Sequence, residues 1–473
     1  MNRTRKKFIV DSLTLAAAVA ATAVFGGLVP EDAGTVKVAW FDRVISPEVG
    51  TDICGYDAGQ HSVGKISDLH MSGLCVDDGE RKTLLVSFDL LGMDTGWIRR
   101  LRAGCAGILK IDPTAVLLTC THTHGGPETY WQPPYEDRGT FNEKYLVALE
   151  KQLLEAVRGL ADWRDCAVAY YSIRVDENRN RRYVTADNRG SFTPHRKEME
   201  RLAEADGFAD KELGVMMFYE KTMKADGPCY VIGNYAAHPL ATHSPGVGGL
   251  RISSDYPGYF RDYIRDEMGC ASMFISGACG DMVPKGDELG RDAARQTGVN
   301  LAKGAIAGCV DVLRNPARFI FKRPRTAALS RTFRSKVRNK FRGKLYDGYK
   351  DAAEIEMEVQ CVAIGDVCFV GVPGELSAEI GQEIKWHSPF RRTYIAYMST
   401  GCFEYQSEPS ALVAGGYEPM WQWFNARHAL NLLTAAEDAM FELRPKVFPE
   451  DAGRGEPYPD FVDYPRVNIP QNK

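Results

Sequence analysis

Residues 83–91 read TLLVSFDLL, residues 97–109 WIRRLRAGCAGIL and residues 114–127 TAVLLTCTHTHGGP. The first is a near-continuous apolar run of strand length, the second has a helical pattern, and the third is another apolar run that breaks at glycine and proline. Strands that are apolar on both faces, separated by a helix, are the signature of an α/β protein. The last of them ends in two histidines, so the feature that decides the fold also delivers the first candidate chemistry.

The pattern continues outward. Residues 142–163 predict a long amphipathic helix, with Tyr145, Leu146, Leu149, Leu153, Ala156, Val157 and Leu160 at three-and-four spacing. Strands are expected at 167–173, 213–219 and 230–236, and helices at 256–267 and 289–313. Residues 355–364 and 367–370 predict a hairpin around Gly365 and Asp366. The expected class is α/β.

The chain has 473 residues and is 44% hydrophobic, enough for a large core in one domain or two intimate ones. A net charge of -4 gives no argument for a nucleic-acid partner. One stretch departs from this balance, since residues 318–344 carry eleven Lys or Arg and no acid. They predict either a solvated, helix-flanking face or a patch that meets anionic headgroups or a polyanion. At the start, Arg3, Arg5, Lys6 and Lys7 precede an alanine-rich apolar run over 13–29, so residues 1–32 are expected to be an export segment. Among the twelve cysteines, Cys120, Cys229, Cys361 and Cys368 sit inside apolar runs and are expected to be buried free thiols. The tail, 446–473, is expected to wrap the surface.

Four segments carry candidate chemistry. His122 and His124 leave the end of an apolar strand and enter Gly125-Gly126-Pro127; in an extended segment residues at i and i+2 point to one side, which suits a zinc ion. Hydrogen-bonded structural histidines would look the same. His238 likewise ends an apolar strand, just before Pro239 and shortly before His243. A third strand delivers Glu375 through Val372-Pro373-Gly374, and two imidazoles with one carboxylate form a catalytic zinc set with room for water. In Gly277-Ala278-Cys279-Gly280-Asp281, Asp281 either orients a metal-bound histidine or satisfies local amides.

In order along the chain, Gly55-Tyr56, the His122 motif, residues 178–183, His238-Pro239, Gly280-Asp281, Pro284, Glu375 and Tyr405 resemble the catalytic domain of neutral ceramidases. The resemblance implies a layered α/β catalytic domain with a mixed sheet and flanking helices, taken as 33–445, and one Zn2+ held by His122, His238, Glu375 and Tyr405, with Tyr397 as the competing tyrosine. It implies a lipid-like N-acyl substrate whose amide is hydrolysed, His124 as a neighbouring or oxyanion-stabilising group, and Arg179 or Arg181 as the substrate arginine. Two departures are expected to matter. Val283 stands where the family has a serine, and the short tail after residue 445 is expected to hold no immunoglobulin-like domain.

Overall fold

The computed structural model describes residues 29–30, 32–56, 59–130, 142–185, 190–192, 202–205, 207–221, 227–242, 250–285, 290–345 and 349–451. The basic start of the chain, His243 and the tail beyond residue 451 lie outside them.

Two sheets form the centre. The larger contains β1 (Val36–Val44), β2 (His70–Asp77), β3 (Lys82–Phe88), β4 (Val116–Cys120), β5 (Arg164–Arg174), β6 (Glu212–Glu220), β7 (Tyr230–Tyr235) and β8 (Ala271–Ser276). Their spatial order is β8-β7-β6-β5-β1-β2-β3-β4. The two edge pairs, β3 with β4 and β7 with β8, are parallel, and the pairs between them are antiparallel. The smaller sheet runs β9 (Thr326–Lys336), β10 (Glu354–Ile364), β11 (Val367–Gly371) and β12 (Arg392–Ala396), with the expected hairpin as its antiparallel β10–β11 pair.

The strands read as apolar on both faces because both faces are covered. On β3, Leu84 and Val86 join the core that also holds Leu101 and Leu149, whereas Leu85 faces the other way. Leu85 shares an inter-sheet core with Val38, Leu117, Ile364 and Phe369. The outer face of the large sheet is covered by α1 (Thr95–Leu109), α2 (Glu143–Arg158), α3 (Asp255–Met268) and α4 (Arg291–Arg314). Behind the smaller sheet lie α5 (Ala378–Trp386) and α6 (Arg427–Val447), whose Leu432, Ala436 and Met440 meet the core containing Met357 and Val359. The result is a layered, mixed α/β fold, as expected.

Three expectations are refined. The helix expected over 142–163 stops at Arg158, because Gly159 ends it and β5 begins at Arg164. Asn142 starts it by accepting the Tyr145 N–H at 3.1 Å. The basic stretch is largely strand: Thr326–Lys336 is the edge strand β9 beside α6, and its exposed Arg331 and Arg334 pair with Glu442 and Glu356. All twelve cysteines are buried and free. No helix among the described residues is long and apolar enough to cross a membrane.

Candidate metal centre

The site lies where β4, β7 and β11 end. After Cys120 the chain does not stay extended: His122 has φ 66°, the left-handed region that non-glycine residues rarely enter. The expected one-sided projection from a strand is therefore replaced by a kink. The kink still brings the two rings together, with His122 and His124 at 5.2 Å between centroids and nearly perpendicular. Met398 and Glu404, beside Tyr397 and Tyr405, are also left-handed. Backbone strain of this kind concentrates where geometry serves function.

His122 and His238 are buried and meet at 3.2 Å between their Nε2 atoms. Each ring's other nitrogen faces a backbone carbonyl, His122 Nδ1 at 2.8 Å from Leu91 O and His238 Nδ1 at 2.5 Å from Cys279 O. A carbonyl only accepts, so both Nδ1 atoms carry the hydrogen and, in the neutral rings, both Nε2 atoms present lone pairs. Burial, followed by the Arg181 charge, holds His238 down to about 4, so it is neutral at neutral pH. Glu375 adds Oε2 at 3.3 Å from His122 Nε2 and 3.1 Å from His238 Nε2. Burial opposes its ionisation, while the charge and the Nε2–H bonds that the two imidazoles supply when protonated hold it well below the usual carboxylate range.

Three electron-pair donors facing one point in a buried site repel unless a cation lies between them. Tetrahedral ligands at zinc-type bond lengths stand about 3.3 Å apart, and the three separations found here, 3.2, 3.3 and 3.1 Å, fit that spacing. His122, His124 and His238 also form a group whose ligand atoms all lie within 4.8 Å of one another. His124 Nε2 is buried and has no hydrogen-bond partner among the described residues. Its ring fits because Gly55, at φ +88°, has no side chain; a Cβ there would fall 2.5 Å from His124 Nδ1. Burial, then the two neighbouring imidazoles, keeps His124 well below its ordinary value and hence neutral.

Both candidate tyrosines are buried near this point. Tyr397 donates its hydroxyl to Glu375 Oε2 at 3.4 Å, and its ring lies 5.1 Å from that of His122. Tyr405 is the backbone partner of Glu375 in a two-residue parallel bridge, and its hydroxyl accepts from Arg181 Nη2 at 3.1 Å. Of the two candidate arginines, Arg181 is fully buried and contacts Tyr405. Arg179 lies on Asn178–Asn180, opposite Val283 in the strand register. Arg181 also donates to Gly280 O at 2.7 Å and to Glu418 at 2.8 Å, while Arg182 takes the other Glu418 oxygen at 2.9 Å.

For Asp281 the contacts found are those of the second of its two readings, with local amides. Its carboxylate accepts from Asn180 Nδ2 at 2.7 Å and from the Ala378 N–H at the start of α5 at 2.8 Å, so it ties the local backbone together. At His238 the ring is oriented by the Cys279 carbonyl. Such carbonyls, and that of Leu91, leave no trace in a residue pattern, because every residue has one. Glu418 was also missed, lying in a segment with no motif.

No family model matches the sequence, and no curated protein matches it. Among solved structures the chain is similar to neutral ceramidase from Pseudomonas aeruginosa, with a TM-score of 0.67 and 14% identity over 87% of this chain and 75% of that one. It is likewise similar to a ceramidase complexed with C2, with a TM-score of 0.68 and 14% identity over 87% of this chain and 76% of the other. At that identity the likeness establishes the architecture, and the chain has a neutral-ceramidase-like fold.

Proposed function

We propose that this chain is an exported, zinc-dependent hydrolase that cleaves the amide bond of a lipid-like N-acyl substrate, with water as the nucleophile and 33–445 as the catalytic domain. The observation that carries the reading is the convergence of His122 Nε2, His238 Nε2 and Glu375 Oε2 at mutual distances of 3.1 to 3.3 Å. Zinc held there supplies an acidified water and polarises an acyl carbonyl. The likeness to ceramidases supports the choice of bond and of substrate class, and the basic, then apolar, start of the sequence supports export.

The chain's own groups have separable tasks. The Leu91 and Cys279 carbonyls fix the imidazole tautomers, and Tyr397 steadies the Glu375 carboxylate. Arg181 donates to the Tyr405 oxygen, which leaves the phenol's own hydrogen for a substrate oxygen, or the oxygen for the metal once ionised. His124, neutral with Nε2 unpartnered, is positioned to hydrogen-bond the oxyanion or to pass a proton to the leaving amine. Val283 is buried and has no hydroxyl, so no step draws on a serine there.

That same valine favours a second reading, in which the site acts on an ester or an N-acyl sugar or peptide. Purified, zinc-loaded protein assayed on N-acyl sphingosines, N-acyl amino acids and acetylated sugars separates the two. Chelator-sensitive release of fatty acid from the first group is expected. Tightly bound zinc with no hydrolysis of any member would leave a metal-binding protein and end the enzymatic reading.

A further inference from the structure

A cavity of about 780 Å³ opens between α3 and the large sheet, where Trp40 and Asp42 of β1, His70 of β2 and Tyr230 of β7 face Tyr259 and Arg261 of the helix. That volume is ordinary for a small-molecule site. None of the residues placed at the metal centre borders it. Tyr230 opens β7 and His238 follows its end, so the two sites lie at opposite ends of a six-residue strand, about 17 Å apart along it.

Two polar groups of this wall are unfinished. Tyr230 is 1% exposed, and its hydroxyl has no hydrogen-bond partner among the described residues. The charged side chains that act on that hydroxyl are Asp42 and Arg261, both in the wall, so it is directed at the cavity. Burial pushes the phenol well above its ordinary value; it keeps its hydrogen and can both donate and accept. The Tyr259 hydroxyl is likewise buried and unpartnered among the described residues. The charges of the wall, by contrast, are matched to one another. Arg261 is held by Asp89, Arg265 by Asp262 and Asp266 at 2.7 and 3.0 Å, and Arg164 by Glu220 at 3.5 Å. Asp42 is held by His70 at 2.5 Å and Ser72 at 2.7 Å, and Asp68 by Lys65 at 2.6 Å. Only Arg291 has no carboxylate partner among the described residues.

We propose that this cavity is a binding site for a neutral saccharide, separate from the metal centre, in which the Tyr230 and Tyr259 hydroxyls bond the hydroxyls of the sugar. A bound anion would meet Asp42, Asp68 and Asp262 with one unclaimed cation to offset them, and a bound cation would find each of those carboxylates already taken. A neutral ring rich in hydroxyls meets neither opposition, and its groups donate and accept as the two phenols require. Its C–H faces suit the apolar ring surface of Trp40 and Tyr259, both half-buried in the same wall. Water serves the phenols in the free protein, and the sugar hydroxyls take its place. No bond is broken here, so the site stands apart from the function proposed above.

The test is saturation-transfer-difference NMR of the full chain with glucose, N-acetylglucosamine and maltose, before and after zinc is stripped with a chelator. Transfer to at least one of the three is expected in both states. Tyr230→Phe should weaken that affinity about fivefold, the size of one hydrogen bond, and leave zinc content unchanged. Tyr259→Phe, at a half-buried position on α3, supplies the same readout should the first variant fail to fold, and near-ultraviolet circular dichroism verifies folding of each. No transfer to any of the three sugars overturns the site, as does transfer that neither substitution changes. Transfer lost with the zinc would place the sugar at the metal centre, and displacement of the sugar by inorganic phosphate would make this an anion site; either result also overturns it. Sugar binding without any N-acyl hydrolysis would uphold the site and count against the catalytic reading alone.

Discussion

His122 Nε2 and His238 Nε2 stand 3.2 Å apart with their Nδ1 hydrogens committed to the Leu91 and Cys279 carbonyls, so two lone pairs face each other in a buried space. The Glu375 carboxylate beside them adds negative charge, so the three atoms require a proton or a cation between them. A divalent cation resolves all three at once, and the main predictions depend on that.

Replacing His238 with Ala removes one of the three converging atoms. Bound zinc, measured by elemental analysis, should disappear, and turnover should fall by more than about a hundredfold, the upper end of what loss of a mere orienting group costs. Full metal occupancy in this variant would contradict the ligand assignment.

Gly55→Val acts on His124. The added Cβ would lie 2.5 Å from His124 Nδ1, at a backbone angle of +88° that valine resists. With His124 displaced, kcat should fall about a hundredfold while zinc content stays at the wild-type level. Loss of zinc in step with activity would place His124 among the ligands instead.

How much of this was legible from residues alone follows a physical line. His122, His238 and Glu375 stood out because each follows an apolar run at a glycine or proline turn, the loop position on a rigid scaffold where functional groups concentrate. The layers were legible for a similar reason: Leu84, Leu85 and Val86 in succession need cover on both faces. The left-handed kink at His122 and the two carbonyl partners were not, since they arise from backbone path and not from side-chain identity. Asp281 was ambiguous because a carboxylate serves an imidazole or an amide N–H equally well, and only the position of α5 decides. The contact of Arg181 with Tyr405 was likewise not legible, since it depends on the backbone path after Asn178–Asn180.

Glu418→Gln should destabilise the fold by about 3–5 kcal/mol, the cost of leaving buried charge unpaired. Arg181 and Arg182 both depend on that carboxylate, and all three side chains are almost fully buried. Urea unfolding measures the loss; a change below 1 kcal/mol would mean that the pairs behave like exposed ones.

His428 predicts acid lability of the fold. It is fully buried, stacked on Phe424 at 4.6 Å, and burial lowers it from 6.5 to about 3. The unfolded chain takes up this proton below 6.5 and the folded one only near 3, so the stabilising contribution is complete above 6.5 and is lost as pH falls through that window. His428→Gln should flatten the dependence of urea-unfolding stability on pH over the same range. An unchanged slope would show that His428 titrates normally.

The most direct test of the central claim is a crystal of the protein grown with zinc and measured at the zinc absorption edge. The account predicts one anomalous peak about 2.0–2.2 Å from His122 Nε2, His238 Nε2 and Glu375 Oε2. An ordered site with no peak there, or with zinc bound elsewhere while these three atoms keep their present spacing, would contradict it.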